Sequence, residues 1–73
     1  MMDYQSMVDY QQRVIREHKD LMEKIAKLGA FLGGKVFNTI PSSEQCKMQI
    51  QYKAMLLYAE CLAWRIADFR KMS

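Results

Sequence analysis

The chain has 73 residues, 51 % of them hydrophobic, and a net charge of +3 from eleven Lys and Arg against eight Asp and Glu. A domain this short hides only about 60 % of the surface its unfolded form exposes, so it needs a disulfide framework, a metal, self-association or tight helix packing. Two cysteines and one histidine are too few for a disulfide framework or a four-ligand zinc site. Helix packing and association remain, and the length excludes any large enzyme scaffold.

The start, MMDYQSMVDY, carries acid where a secretory leader has base, and no apolar run nears the roughly 20 residues that span a bilayer. The expectation is a protein without membrane contact in a reducing cytoplasm, where Cys46 and Cys61 stay as free thiols.

The first helix is expected over about 4–32. Met7, Val14, Leu21 and Leu28 recur every seven residues, and Ile25 and Leu32 complete the alternate spacing of three and four. Gln11 and His18 interrupt the second row. A flanking row of Val8, Ile15 and Met22 widens the stripe. Gly33-Gly34 supplies the left-handed residue that commonly ends a helix.

The connector, 33–42, is short, with room for one helical turn through Val36, Phe37 and Asn38. Ser42 and Gln45 have capping-box spacing. The second helix is expected over about 43–70, returning antiparallel to the first. Its apolar residues fall on two sides. Met48, Tyr52, Met55, Ala59, Leu62, Ile66 and Phe69 form one stripe, and Ile50, Leu57 and Trp64 form a row well around the helix from it. The first helix can cover only one of them. The fold class is therefore all-α: two long antiparallel helices in a single helical domain over 1–73, assembling into a compact homo-oligomer. The competing possibility is that residues 1–7 fold back as a short helix over the second side.

Catalytic groups are sparse. The serines sit at caps or termini, the carboxylates are scattered, and His18 reads as a partly buried, hydrogen-bonded residue of the stripe. The chain is not expected to be an enzyme, and neither cofactor nor metal is expected. A binding role is better supplied. Tyr10 lies one turn from Arg13, and Lys24 follows about four turns later on the same side. Lys27 and Lys35 bracket the glycines, with Asn38 and Thr39 beyond. An aromatic for stacking, cations for phosphates and amides for base edges are what a nucleotide site requires. A solvated lysine surface would carry the same residues.

Tyr10, Arg13-Val14, Glu17, Leu21, Lys24-Ile25, Lys27-Leu28 and Phe31-Leu32 are followed by Phe37, Glu44-Gln45, Gln51, Ala54-Met55, Tyr58, Leu62 and Arg65-Ile66. This order resembles the phage anti-CBASS sponge family, small helical proteins that sequester cyclic oligonucleotide signals of bacterial anti-phage defence without cleaving them. The resemblance implies a homohexamer acting in the host bacterial cytoplasm. It implies sites for cyclic dinucleotides such as cGAMP between paired protomers, with Tyr10 stacking, Lys24 or Lys27 on phosphate, and Asn38 and Thr39 nearby. It also implies a separate cyclic trinucleotide site near a three-fold axis, for which Arg65 is the candidate. Two other functions compete with it: a helical adaptor or inhibitor docking on a host protein, and a weak nucleic-acid binder drawn by the positive charge.

Overall fold

The computed structural model describes residues 4–72, with side chains from Val8 to Lys71. Helix α1 runs Tyr4–Leu32, a single 3₁₀ turn covers Val36–Thr39, and helix α2 runs Ser42–Met72. The two helices pack antiparallel into a rod of 52 × 18 × 15 Å. No glycine or proline interrupts either helix before Gly29, and that continuity lets each run for about 45 Å at ~1.5 Å per residue. Tyr4 to Met7 continue α1 rather than folding back. Met1 to Asp3 and the side chain of Met7 lie outside the described residues.

The seam is thin. Val14, Leu21 and Ile25 of α1 meet Ala59 and Leu62 of α2, flanked by half-buried Tyr52, Met55, Ile66 and Phe69. These are the stripes expected from heptad spacing. Among the described residues, Leu62 alone reaches full burial. At Gly29 the partner helix comes close, since a Cβ there would lie 3.1 Å from the Tyr52 hydroxyl. The absence of a side chain admits that ring.

The helix ends differ from expectation in two ways. No described residue has a positive φ, so Gly33-Gly34 does not end α1 through a left-handed residue. Instead the last turn tightens: the Gly33 N–H donates to Gly29 O at 3.2 Å and the Gly34 N–H to Phe31 O at 3.1 Å. A shift from i−4 to i−3 bonding satisfies terminal carbonyls without reversing the backbone. At the other side, the Gln45 N–H donates to Pro41 O at 3.0 Å, which makes Pro41 the cap and Ser42 the first helical residue. Gln45 does not work from a capping box on Ser42. Its side-chain amide donates to both Phe37 O and Ile40 O, each at 2.9 Å. Phe37 O also accepts the Ile40 N–H at a long 3.4 Å, and the Gln45 amide adds a shorter bond to it while giving Ile40 O a donor, which a half-buried carbonyl needs.

The connector is further fixed by Phe37, which is buried with its ring edge-on to Phe31 at 6.3 Å. The Thr39 hydroxyl donates to Val36 O at 2.6 Å.

The far side of α2 is bare. Ile50, Leu57 and Trp64 remain 62 %, 61 % and 60 % exposed. Ile15 and Met22, in the flanking row of α1, are about half exposed as well. Among the described residues, more large hydrophobic side chains face solvent than are buried. A soluble monomer rarely carries a contiguous apolar row of this kind without a partner for it. No described helix is long and apolar enough to cross a membrane.

Candidate functional site

Two clusters of aromatic and charged groups lie along one edge of the α1–α2 seam. The first joins Tyr10 of α1 to the last turns of α2. The Arg65 guanidinium lies over the Tyr10 ring, 5.4 Å from its centroid, and Arg65 Nη2 donates to the Tyr10 hydroxyl. Phe69 meets the same ring edge-on at 6.0 Å. Tyr10 is thus held on one face by a cation and on its edge by an aromatic, while 40 % of it stays exposed. Such a ring is oriented but still accessible, and each of these contacts contributes about 0.5–1 kcal/mol at an exposed site.

The second cluster sits two turns further along α1. Arg13, Arg16, Glu17, Asp20, Leu21 and Lys24 line an open groove of about 340 Å³ with Tyr58 of α2. The Tyr58 hydroxyl donates to Glu17 Oε1. That bond holds the phenol above its ordinary range, because ionising Tyr58 would remove the proton that Glu17 accepts; partial desolvation and the Glu17 charge act the same way, and Arg65 opposes them. Three cations against two carboxylates leave the groove net positive. Arg13 and Arg16 also line a shallow hollow with Asp9 and Gln12, so the basic surface continues around α1.

A larger groove of about 530 Å³ opens beside the first cluster, lined by Ile15, His18, Ile66 and Phe69 among others. His18 is half-buried there, as its place on the stripe implies, yet it has no hydrogen-bond partner among the described residues. The expected hydrogen bond is therefore missing: its neighbours in the groove are largely apolar. Among the described residues no three His, Cys, Asp or Glu side chains gather as a metal would need. Cys46 and Cys61 are free and exposed.

The candidate residues are distributed unevenly over this surface. Tyr10 and Arg65, assigned above to two different sites, touch each other. Lys24 lines the second groove, but 14 residues separate it from Tyr10, about 21 Å along the helix. Lys27 is exposed one turn beyond. Asn38 and Thr39 lie in the connector, at the opposite end of α1 from Tyr10, and the Thr39 hydroxyl is engaged by Val36 O. One chain does not bring all five dinucleotide candidates to one small ligand. Arg16, Tyr58 and Phe69 were absent from the candidates. The signal for them was available: in an antiparallel hairpin, positions equidistant from the middle of the connector face each other, and Glu17–Tyr58 and Tyr10–Arg65 are such pairs.

The described residues define a small all-α protein, a two-helix rod with an aromatic and cationic edge along its seam. The chain belongs to the Sequestin family, which matches residues 8–68. It is similar to an uncharacterized 7.5 kDa protein from the denB-rIIB intergenic region of Enterobacteria phage T4, 44 % identical over 64 residues that cover 88 % of this chain and all of that protein. It is thus a small protein of a bacteriophage type, in a family named for sequestration. No solved structure matches it.

Proposed function

We propose that this protein is a sponge: it binds a small nucleotide signal in the host cytoplasm and withholds it, without breaking a bond. The reading commits to a ligand with stackable bases and at least two phosphates. Cyclic di- and trinucleotides, the class implied by the sequence resemblance, are the first members. The observation that carries it is the edge on which Tyr10, held by Arg65 and Phe69, is followed by Tyr58 amid Arg13, Arg16 and Lys24. Flat π faces bind bases of any identity, and guanidinium and ammonium groups meet phosphate oxygens in charge-assisted hydrogen bonds.

Family membership supports sequestration over turnover, and no step of the proposal needs a cofactor or a metal. A homohexamer is the proposed assembly. Because Tyr10 and Lys24 are far apart in one chain, a site using both draws them from different copies, and a two-fold seam would present each residue twice to a ligand with two phosphates.

The test is unbiased with respect to the ligand. The protein is incubated with nucleotide extract from phage-infected, defence-bearing cells and with a panel of cyclic di- and trinucleotides. It is then desalted and heat-denatured, and the released molecules are identified by mass. An intact nucleotide released in stoichiometric amount is expected. Tyr10→Ala and Lys24→Ala should each lower the amount retained while the oligomer persists. Release of no nucleotide, or of a cleaved one, overturns the proposal.

A further inference from the structure

The bare row on α2 is laid out for a second copy of the same helix running the opposite way. Leu57 is at its middle, with Ile50 seven residues before and Trp64 seven after, each about 20° from Leu57 around the helix. All three are exposed, and they point away from the side that packs on α1.

Charge along this row is not random. Lys47 and Lys53 precede Leu57, and Glu60 and Asp68 follow it. All four are exposed, and among the described residues none has an ion-pair partner within the chain. Lys53 lies four residues before Leu57 and Glu60 three after, on the same flank. Ala54 and Cys61, both small, occupy the opposite flank at the mirrored heights. Lys47 and Asp68 share that second flank, ten and eleven residues from the centre.

We infer that two copies pair through α2 in antiparallel fashion about a two-fold axis at Leu57. A two-fold axis across the seam reverses height but keeps the flank. Leu57 then meets Leu57 of the second copy, and Ile50 meets its Trp64. Lys53 faces Glu60 and Lys47 faces Asp68 of the second copy, each twice. Ala54 and Cys61 let the helices approach on one side, as small residues do in close helix packing. A parallel pairing of the same faces keeps height but reverses the flank, setting Lys53 beside Ala54 and Glu60 beside Cys61 of the second copy, so it forms none of these ion pairs. Charge therefore selects direction, and the apolar row supplies the adhesion.

The inference does not rest on a ligand, but it bears on one. Tyr58 is one residue past the axis and on the flank of Ala54 and Cys61. The pairing brings the Tyr58 grooves of both copies side by side, with Arg13, Arg16 and Lys24 repeated across the axis.

The experiment uses the full chain in a Cys46→Ser, Cys61→Ser background, with single cysteines added and mild oxidation. Leu57→Cys should link to itself. Ile50→Cys and Trp64→Cys should each fail alone, because their copies stand about 21 Å apart along the axis, and should link only when the two variants are mixed. Sedimentation of the unmodified chain at micromolar concentration should show a dimer or a larger assembly. Lys53→Glu should weaken association about tenfold, since two surface ion pairs become repulsions, and Lys53→Glu with Glu60→Lys should restore it. A monomer, self-linking of Ile50→Cys, or association in which Leu57→Cys never links overturns the inference. The monomer result would leave the row to a different partner, while nucleotide release by that monomer would show that the sponge reading survives without this seam.

Discussion

Replacing Leu62 by alanine tests whether the seam is built as described. Its side chain is fully buried, within the seam cluster that Val14, Leu21 and Ile25 of α1 form with Ala59 of its own helix. Removal of a buried leucine side chain costs about 2–5 kcal/mol, the spread depending on how well the surroundings collapse. Ala59, a small neighbour with no volume to move inward, places Leu62→Ala near the middle, about 3 kcal/mol. A domain of this length holds about 4–11 kcal/mol in all, so the variant loses between a quarter and three quarters of its stability. At about 4–8 °C per kcal/mol for a domain of 60–100 residues, Tm should fall by about 12–24 °C. The assay is thermal unfolding followed by far-ultraviolet circular dichroism, at one fixed protein concentration because association raises Tm by mass action. Val36→Ala, at a side chain 60 % exposed, is the control and should move Tm by no more than about 4 °C. If Leu62→Ala falls by no more than the control, the pairing of α1 with α2 is wrong.

Other consequences are checked as directly. Gln45→Ala removes the donor to two connector carbonyls and should cost about 1–3 kcal/mol in urea unfolding, with the loss traced to a mobile 36–41 segment by hydrogen exchange. Gly29→Ala sets a helix-propensity gain of about 1 kcal/mol against a 3.1 Å approach to the Tyr52 hydroxyl, and should leave Tm nearly unchanged because the ring can tilt; Gly29→Val, branched at that point, should lower it clearly. Tyr58 should ionise later than an ordinary tyrosine in an alkaline absorbance titration. Glu17→Gln should bring that step down. The stability linked to this raised pKa is fully present below the pKa of the unfolded chain and is lost as pH rises through the folded one, so Glu17→Gln should matter less to stability at strongly alkaline pH than at neutral pH.

Helix existence, helix direction and the buried stripe were legible because they depend on spacing alone. Val14, Leu21 and Ile25 fall on one face of any α-helix, as do Ala59 and Leu62, and nothing tertiary was needed to see it. The unsatisfied row at Ile50, Leu57 and Trp64 was legible for the same reason. What was hidden depends on contacts distant in sequence. Gln45 was assigned to a local box with Ser42, but its amide reaches the carbonyls of Phe37 and Ile40, a demand created only when the connector turns. The glycines after α1 were read by their most common use, whereas a tightened last turn served here. Tyr10 and Arg65 were divided between two sites because their meeting requires the hairpin register. Each residue was visible, but their partnership was not.

The clamp that Gln45 places on the connector has a consequence for how such a chain can diverge. The Tyr10–Arg65 and Glu17–Tyr58 encounters and the entry of Tyr52 over Gly29 all depend on one phase relation between two rods. Gaining or losing a single residue in the bend would rotate the following rod by about 100° and dissolve every one of them together. Substitutions along the rods can be absorbed one at a time, but the length of the bend behaves like a reading frame. Lineages of this protein should therefore drift widely in letters while the tally of positions between the glycine pair and Gln45 stays constant.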